Sequence, residues 1–434
     1  MKYYNETTFT EGVISATDTD LHLYKKNAIK PGTVTFLDQS CGSGKTSDLL
    51  EGFKTTDRYF VVVVARSEID RVIRDAVVNF STPIEGGYVD ADGVERRSLL
   101  IGLKDLIEDG ENIVVTHTLF DRVSLNEFDL SGYHVIIDEV FDCVRPLKGP
   151  SADDFHKTYV GGGLATVADD GQIHPTDRWN LQGDGAYAFN LLAEAKRGRL
   201  FCADEGFYVT VVPTSLFVNS LSCTVLTYLA EGSLMAAYLR KHCIQYIVQK
   251  DEDKDLQARA VAKVRLKMEY VNLGLRTGLG YHRQGKLNRK NKGKIANKFK
   301  NLRSRQLKGV PVSDIMVTCR NDLWKDSAGV ANGFAKDCRL AKAKWCHKST
   351  KGTNDYRNCT HAIHLYDINL NPSVKKFLEL TGEQEDLWRQ SELIQWLYRT
   401  DLRNGDSDKP TELYMCSDKM MKLIENWLSE SPMQ

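Results

Sequence analysis

The sequence predicts an α/β fold with two tandem domains built on mainly parallel sheets. The length of 434 residues is about two to three times that of a typical single domain. Short apolar runs rich in β-branched residues recur along the chain, separated by helix-compatible segments. Because these runs do not alternate with polar residues, they are typical of parallel strands covered on both faces. A composition of 42% hydrophobic and 27% charged residues excludes a mostly disordered chain.

The first half of the chain contains the clearest of these runs. Strands are predicted at residues 34–38, 59–65, 113–116, 134–137 and 223–227. A helix can begin at Thr46, and another is expected at 235–239. We therefore predict a first domain over residues 31–238, preceded by an N-terminal extension at 1–30. Residues 150–190, which are rich in Gly, Asp and Thr, are expected to form an irregular insertion late in this domain.

The second half repeats the pattern. Strands are predicted at residues 245–248, 268–271, 315–318, 362–365 and 412–415. Amphipathic helices are expected at 392–398 and 419–427. These elements predict a second α/β domain over residues 239–434.

Charge and cysteine usage narrow the class of protein. Lys and Arg total 58, as do Asp and Glu, so the net charge neither indicates nor excludes a nucleic-acid partner. The ten cysteines are dispersed over the chain, which favours reduced thiols and a cytoplasmic location, in the host cell if the protein is viral. No apolar run approaches the roughly 20 residues that cross a bilayer, so we expect a soluble protein without a membrane partner.

A glycine-rich loop with a lysine follows the first predicted strand. Small residues let backbone N–H groups approach phosphates, and the start of a helix favours negative charge. Lys45 is suited to reach the β- and γ-phosphates of ATP, and the Thr46 hydroxyl to bind Mg²⁺. Gln39 stands where the full pattern has glycine. The residues predicted to bind the nucleotide are Cys41, Gly42, Ser43, Gly44, Lys45, Thr46 and Ser47.

Two acidic residues follow the predicted strand at 134–137. A triphosphatase needs one carboxylate that holds Mg²⁺ and a second group that orients the attacking water. Asp138 suits the metal and Glu139 suits the water. Together with Lys45 of the phosphate loop, they predict ATP hydrolysis with ATP and Mg²⁺ as the cofactors.

The loop and the acidic pair, in this order, resemble the motifs of the superfamily 2 helicases, which include the DEAD-box and DEAH-box proteins. The resemblance covers most of the chain. It implies two RecA-like domains with a nucleotide cleft between them, and a motor that moves along or unwinds DNA or RNA. Phe141 departs from the family pattern D-E-x-H or D-E-x-D. The sequence of the arginine motif near the end of the chain resembles helicases of phage and mobile-element origin more than cellular DEAD-box proteins. This resemblance implies replication or mobile-element proteins as further partners.

The resemblance also implies roles for residues in both halves. The residues implied to contact the nucleic-acid backbone, without base readout, are Arg66, Ser67, Thr116, His117, Arg320 and Thr350. Residues 226–233 stand where the family has its S-A-T-like linker. Residues 349–355 resemble the family's fifth motif, which adds Gly352, Asn354 and Asp355 to the nucleotide site.

Residues 395–403 resemble the Q-x-x-G-R-x-x-R motif of the family, which implies catalytic roles for Gln395, Arg399 and Arg403. A guanidinium is planar and permanently charged, so it can neutralise charge on the phosphoryl group being transferred. Tyr398 replaces the usual glycine, and the second arginine lies four residues after the first instead of three.

Two further clusters allow more than one interpretation. Residues 281–305 contain ten basic residues and no acidic residue, which suits either phosphate binding with counterion release or a solvated surface. A second cluster could suggest zinc but lacks paired Cys-x-x-Cys spacing, so core thiols and ordinary histidines are favoured. Its members are Cys338, Cys346, His347, Cys359, His361 and His364.

Two other functions stay open at this point. A viral DNA-packaging ATPase has a similar phosphate loop and acidic pair, although a clustered-carboxylate nuclease site is not evident in residues 240–434. A nucleotide-switched nucleic-acid annealing protein would close on a duplex without unwinding it. The choice between DNA and RNA also stays open.

Overall fold

A computed structural model describes residues 32–89, 95–123, 128–184, 190–204, 206–275, 278–350, 352–353 and 355–429. The predicted N-terminal extension at 1–30 lies outside the described residues. The chain forms two compact units. The first comprises Met1–Asp38, Gly44–Gln249 and Leu370–Glu385, and the second comprises Gln39–Ser43, Lys250–Asn369 and Asp386–Gln434. The residue ranges predicted for the two domains stay a prediction.

Strands and helices alternate along the described chain. The strands are β1 Val34–Asp38, β2 Tyr59–Val63, β3 Gly86–Val89, β4 Glu95–Ser98, β5 Ile113–Thr116, β6 His134–Asp138, β7 Val144–Pro146, β8 Ala165–Val167, β9 Ile173–Pro175, β10 Leu200–Asp204, β11 Phe207–Val211, β12 Ser222–Thr227, β13 Tyr246–Lys250, β14 Leu266–Tyr270, β15 Ile315–Thr318, β16 Lys344–Trp345, β17 His361–His364 and β18 Thr411–Met415.

The α-helices span Lys45–Glu51, Arg66–Asp75, Leu99–Glu108, His117–Phe120, Ala152–Phe155, Asp177–Gln182, Leu191–Lys196, Ser215–Val218, Leu234–Lys241, Glu252–Arg265, Tyr281–Gly285, Arg289–Ser304, Asn321–Trp324, Gly333–Asp337, Pro372–Phe377, Gly382–Leu397 and Asp418–Ser429. A π-helical turn spans His156–Val160, and short 3₁₀ turns span Ala230–Gly232, Val312–Asp314 and Asp401–Arg403.

The first unit is built on a sheet with the strand order β13-β1-β12-β6-β2-β5. The pairs β1/β12, β12/β6, β6/β2 and β2/β5 are parallel. All five residues of β2 are buried, as expected for a strand covered on both faces. Every strand predicted between residues 34 and 227 is present.

The strand predicted at 245–248 is present but belongs to the first sheet and does not open the second. As β13, it lies beside β1 at the edge of that sheet. The backbone N–H of Val34 donates to the carbonyl of Gln245 at 3.1 Å, so this segment satisfies the open edge of β1. The helix predicted just before it, at 235–239, is confirmed as Leu234–Lys241.

The described part of the insertion predicted to be irregular at 150–190, which is residues 150–184 and 190, contains helices and two strands, so for these residues the prediction was wrong. Strands β8 and β9 form an antiparallel hairpin, and β10, β11 and β7 form a separate antiparallel sheet. The physical reason is a local apolar core that includes Phe155, Tyr159 and Trp179, each nearly fully buried. Burial of these aromatic side chains outweighs the loop-forming composition between them.

A late segment of the chain also belongs to the first unit. The helix Pro372–Phe377 packs on β10 and β11, and Val374 joins the main hydrophobic core of the unit. The Phe377 and Phe201 rings meet edge to face at 5.5 Å. Residues so distant in sequence give no local pattern from which this packing could be predicted.

The second unit is built on a sheet with the strand order β14-β18-β17-β15-β16, in which all neighbouring pairs are parallel. The strands predicted at 268–271, 315–318, 362–365 and 412–415 correspond to β14, β15, β17 and β18. Helices are present at both segments predicted to be amphipathic, as Gly382–Leu397 and Asp418–Ser429. Only the second is amphipathic, because residues 393–397 of the first are all buried. The predicted α/β class with mainly parallel sheets is confirmed.

Candidate nucleotide-binding site

The glycine-rich loop directly follows β1 and leads into the helix Lys45–Glu51. Gly42 and Gly44 have φ angles of 87° and 89°, a backbone conformation that residues with a side chain rarely adopt. No side chain caps the first turn of the helix, where Gly44 is the N-cap. The Ser43 hydroxyl donates to the side-chain carbonyl of Gln39 at 3.3 Å. Gln39, the departure from the glycine pattern, therefore braces the loop through its side chain.

Asp38, the last residue of β1, connects the end of this strand to the turn that follows β12. Its carboxylate accepts hydrogen bonds from the backbone N–H groups of Leu229 at 2.8 Å and Ala230 at 3.0 Å. Leu229 has a left-handed backbone with a φ of 57°. In the sheet, Asp38 pairs with Thr227 of β12, whose carbonyl accepts a hydrogen bond from Lys45 Nζ at 3.2 Å. Asp38 was not among the predicted site residues.

The acidic pair lies at the same sheet edge as the loop. Asp138 ends β6 and pairs with Leu226 of β12. The Thr46 hydroxyl donates to Asp138 Oδ1 at 3.3 Å, joining two residues that are 92 positions apart in the sequence. Glu139 has a φ of 68°, and its N–H donates to the Leu226 carbonyl at 2.9 Å. A left-handed glutamate costs about 1–2 kcal/mol, and such strain is concentrated at functional sites.

The surroundings of Asp138 raise the pKa of its carboxyl to about 6. Burial is the main cause, and the nearby Glu139 carboxylate adds to it, whereas Lys45 opposes the shift. A hydroxyl and a carboxylate are the hard oxygen ligands that Mg²⁺ takes beside phosphate oxygens. Thr46 and Asp138 therefore fit a magnesium site, and a bound cation would favour the ionised form of Asp138.

His117 and Phe141 lie next to the acidic pair and contact each other. His117 Nε2 lies 3.0 Å from the backbone carbonyl of Asp138, and its ring lies 5.3 Å from the Phe141 ring. Phe141 is buried and also meets Phe120 and Phe217 edge to face. Phe141, which departs from the family motif, is thus a core residue that packs against His117.

The other predicted residues of the first unit follow strands of the same sheet. Arg66 and Ser67 are exposed at the start of the helix after β2. Thr116 ends β5, and its hydroxyl accepts a hydrogen bond from Leu119 N–H at 3.4 Å. The Ser47 hydroxyl accepts from Arg71 Nη2 at 3.1 Å. Their roles in binding stay a prediction.

Arg403 and the loop segment Gln39–Ser43 are both part of the second unit. A β-carbon at Gly42 would lie 2.9 Å from Arg403 Cγ and 3.3 Å from its carbonyl oxygen. Only glycine therefore fits beside this arginine without a shift of the backbone or the side chain.

A buried ion pair holds the turn that contains Arg403. Arg265 Nη2 donates to Asp401 Oδ2 at 2.6 Å, and both side chains are more than 90% buried. The Arg265 guanidinium also donates to the backbone carbonyls of Asp401, Asn404 and Lys409. Neither Arg265 nor Asp401 was predicted. Asp401 lies between Arg399 and Arg403, and only its acidic character within that motif could have identified it.

The remaining residues of the arginine and fifth motifs lie in the second unit. Gln395 and Arg399 are buried, and Gln395 Nε2 donates to the Ser391 hydroxyl at 3.1 Å. Gly352 has a φ of 62°. The carbonyl of Asp355 accepts a hydrogen bond from Lys344 Nζ at 2.8 Å. Asn354 lies outside the described residues.

Arg320 and Thr350 follow β15 and β16. Arg320 Nε donates to Asp322 Oδ1 at 2.6 Å, a bond that raises the pKa of the guanidinium. The guanidinium lies 4.4 Å from the centre of the Tyr281 ring. The backbone N–H of Thr350 donates to the His347 carbonyl at 3.0 Å.

Most of the cysteine and histidine cluster of the second unit is buried, whereas His347 is exposed and His361 is half-buried. Cys338, Cys346 and Cys359 are fully buried, and burial raises the pKa of Cys359 to about 11. Burial also lowers the pKa of His364 to about 3. In the part of the chain that the structure describes, no three His, Cys, Asp or Glu side chains are grouped to hold a metal ion. Among the same residues, no helix is both long and apolar enough to cross a bilayer.

Comparisons with known proteins give likenesses to two groups. Residues 260–428 match the family described as the YonV C-terminal Rossmann-like domain. The SPbeta prophage-derived uncharacterized protein YonV of Bacillus subtilis (strain 168) is 24% identical over 431 residues, which cover 91% of this chain and 98% of the relative. A solved structure named XPD_Helicase has a TM-score of 0.51 and 14% identity, over 91% of this chain and 94% of that chain. Another, XPD_APO, has a TM-score of 0.49 and 13% identity, over 92% and 95%.

The likeness to XPD_Helicase extends over most of both chains at low sequence identity, so it concerns the fold. It agrees with the parallel sheets of the two units and with the Rossmann-like match of the second unit. The chain therefore has a mixed α/β fold, built on mainly parallel sheets, that resembles the fold of this structure.

Proposed function

We propose that this protein is a nucleic-acid-dependent ATPase that couples ATP hydrolysis to movement along, or unwinding of, DNA or RNA. The observation that carries the proposal is the 3.3 Å hydrogen bond between Thr46 and Asp138. It joins the glycine-rich loop to the acidic pair at the carboxyl ends of the parallel strands, and open α/β sheets bind ligands at the carboxyl ends of their strands. The likeness of the fold to the structure named XPD_Helicase supports a motor, and the prophage-derived relative supports a mobile-element context.

The loop and its lysine would bind the triphosphate. Backbone N–H groups of residues 41–47 would surround the phosphates, and Lys45 would pair with the β- and γ-phosphate oxygens. Thr46 and Asp138 would hold Mg²⁺, which supplies charge neutralisation at the phosphate oxygens when bound. The raised pKa of Asp138 supports this role, because a carboxyl that is costly to ionise without a cation gains most from one.

Glu139 would orient the attacking water and accept its proton, a role that suits a carboxylate adjacent to the metal ligand. Arg399 and Arg403 would neutralise charge on the transferred phosphoryl group, with Gln395 beside them. The close approach of Arg403 to Gly42 supports its role at the phosphates. Gly352, Asn354 and Asp355 are proposed to complete the nucleotide contacts.

Nucleic acid would bind through its backbone to Arg66, Ser67, Thr116 and His117 in the first unit and to Arg320 and Thr350 in the second. His117 offers a physical link between binding and hydrolysis. Because its ring nitrogen lies 3.0 Å from the Asp138 carbonyl, a strand that moves His117 would also move the acidic pair. Such gating would couple strand binding to the chemical step.

The test is the ATPase rate in the presence of single- and double-stranded DNA and RNA. We expect at least one single strand to stimulate hydrolysis, and we expect Lys45→Ala to abolish the stimulated rate. The exposed Lys54 gives a matched control, since Lys54→Ala should retain the wild-type rate. If no nucleic acid stimulates hydrolysis, the motor proposal is wrong. A strand-displacement assay then separates unwinding, which requires ATP turnover, from annealing switched by nucleotide binding alone.

A further inference from the structure

An open groove of about 460 Å³ lies at the start of the basic segment 281–305 in the second unit. Its apolar lining includes Leu275, Leu279 and Leu287. Its polar lining is dominated by four basic side chains, which are Arg283, Lys286, Lys290 and Lys294. Among the residues that the structure describes, no acidic side chain lines the groove. The sequence alone could not distinguish these four from the other basic residues of the segment.

Helix geometry places two of the four cations side by side, while Arg283 lies on the short helix Tyr281–Gly285 and Lys286 follows its end. Lys290 and Lys294 are separated by four positions on the helix Arg289–Ser304, so they occupy one face. The same helix buries Ile295, Phe299 and Leu302 in the core of the unit, which fixes its orientation. Among the described residues, none of the four groove cations forms an ion pair. Like charges gathered without counter-charges favour a polyanionic ligand, because its binding relieves their repulsion.

A buried glutamine anchors this groove to the carboxyl edge of the second sheet. Gln284 is 1% exposed, and its Nε2 donates to the carbonyls of Leu279 and Leu365, each at 2.9 Å. Its Oε1 accepts the backbone N–H of Arg320 at 2.8 Å. One amide thus fixes the groove wall, the end of β17 and the end of β15. The groove cations are therefore held on a fixed backbone next to Arg320, which reduces the ordering cost of binding.

We propose that this groove binds the sugar–phosphate backbone of a single nucleic-acid strand, with the four cations contacting its phosphates. The proposal rests on the proposed function, since its ligand is the same nucleic acid. The volume admits a short stretch of one strand and is too small to enclose a duplex. A positively charged groove with exposed aromatic residues nearby is the usual arrangement for single strands. Tyr281, 51% exposed at the start of the same short helix as Arg283, supplies such a residue.

The test compares two quadruple alanine variants of the full chain. The groove variant replaces Arg283, Lys286, Lys290 and Lys294. The matched control replaces Arg289, Lys292, Lys298 and Lys300, which are exposed on the same segment outside the groove. Both variants lose four positive charges. Binding of a fluorescent single-stranded oligonucleotide, of the type that best stimulates hydrolysis, is measured by anisotropy between about 50 and about 300 mM salt, a range that includes physiological ionic strength.

Each phosphate contact on a single strand contributes about 0.7 to the slope of log K against log salt. The groove variant should therefore lose up to about 3 from the slope and bind at least about tenfold more weakly at low salt. The control should lose less than half as much. Equal losses in both variants, or an unchanged slope in the groove variant, would overturn the proposal. If the quadruple variant does not fold, as judged by circular dichroism, the pairs Arg283→Ala with Lys286→Ala and Lys290→Ala with Lys294→Ala should each lose about half of that slope.

The outcomes separate this inference from the proposed function. If the wild-type protein binds no oligonucleotide, both fail. If it binds and its hydrolysis is stimulated, but the groove variant binds like the control, only the groove assignment fails. Poly-glutamate of matched charge is the competitor that tests for a phosphate-independent partner. Displacement of the oligonucleotide by poly-glutamate at the same concentration as by unlabelled oligonucleotide would also overturn the assignment.

Discussion

Replacing Asp138 with asparagine keeps the shape of the side chain and removes a charge that burial makes costly. The pKa of this carboxyl is raised from 3.8 to about 6 in the folded protein. A raised folded-state pKa means that the stabilising contribution is fully present below the unfolded pKa and is lost as the pH rises through about 6. Above that pH, the ionised carboxylate destabilises the ligand-free protein, and asparagine does not.

The size of the effect follows from the shift. Two pKa units correspond to about 3 kcal/mol at most, so Asp138→Asn should be more stable than wild type by up to about that amount at pH 8. Near pH 5, where wild-type Asp138 is largely protonated, the advantage should fall to roughly half. For a unit of this size, about 3 kcal/mol corresponds to a rise of roughly 6–12 °C in the thermal midpoint. The variant should also lose Mg²⁺-dependent hydrolysis, so stability and activity change in opposite directions.

The assay is thermal unfolding of the ligand-free protein at pH 5 and pH 8. Asp70→Asn, the same substitution at an exposed position of the same unit, is the control and should change stability by less than about 0.5 kcal/mol. A variant that is no more stable than wild type at pH 8, or whose advantage does not shrink at pH 5, would show that ionised Asp138 does not destabilise the ligand-free protein.

Three further outcomes are expected. Gly42→Ala should lower ATP hydrolysis at least about tenfold, because its φ of 87° and the approach of Arg403 exclude a side chain; a near-wild-type rate would contradict this. Asp38→Asn replaces the carboxylate that accepts two backbone N–H groups, so it should lower the free energy of unfolding in urea by roughly 1–3 kcal/mol. Unchanged stability would argue against this role of the Asp38 carboxylate. Arg265→Met should cost about 3–5 kcal/mol, because it leaves the Asp401 carboxylate buried without a counter-charge. Adding Asp401→Leu should recover part of this loss, and not all of it, because the carbonyls of Asp401, Asn404 and Lys409 still lack the guanidinium donor; no recovery would refute the ion-pair explanation.

Local sequence patterns were sufficient to predict the parallel strands and the glycine-rich loop. The run at 59–63 is β-branched and apolar because both of its faces are buried, and Gly42 and Gly44 are required where φ is positive. These constraints act within a few residues, so they leave a readable trace in the sequence. The same holds for the position of Asp138 at the end of β6.

Long-range contacts were not predictable in this way. The Asp38 carboxylate binds N–H groups about 190 positions later, and Arg265 pairs with Asp401 across 136 positions. Asp38 lies at the end of a strand and Arg265 at the end of a helix, and neither segment has a local pattern that distinguishes it from an ordinary element end. The insertion after β6 was predicted to be irregular because its glycines and aspartates obscure the spacing of the aromatic residues that form its core.

The assignment of this protein as a nucleic-acid motor is tested most directly by the ATPase rate of the full chain with and without single-stranded nucleic acid, measured for wild type and for Lys45→Ala. We expect hydrolysis that rises with added strand and disappears in Lys45→Ala, while thermal unfolding of the variant remains cooperative. Hydrolysis that Lys45→Ala retains, or that no strand stimulates, would contradict the assignment of this loop as the site of a nucleic-acid motor.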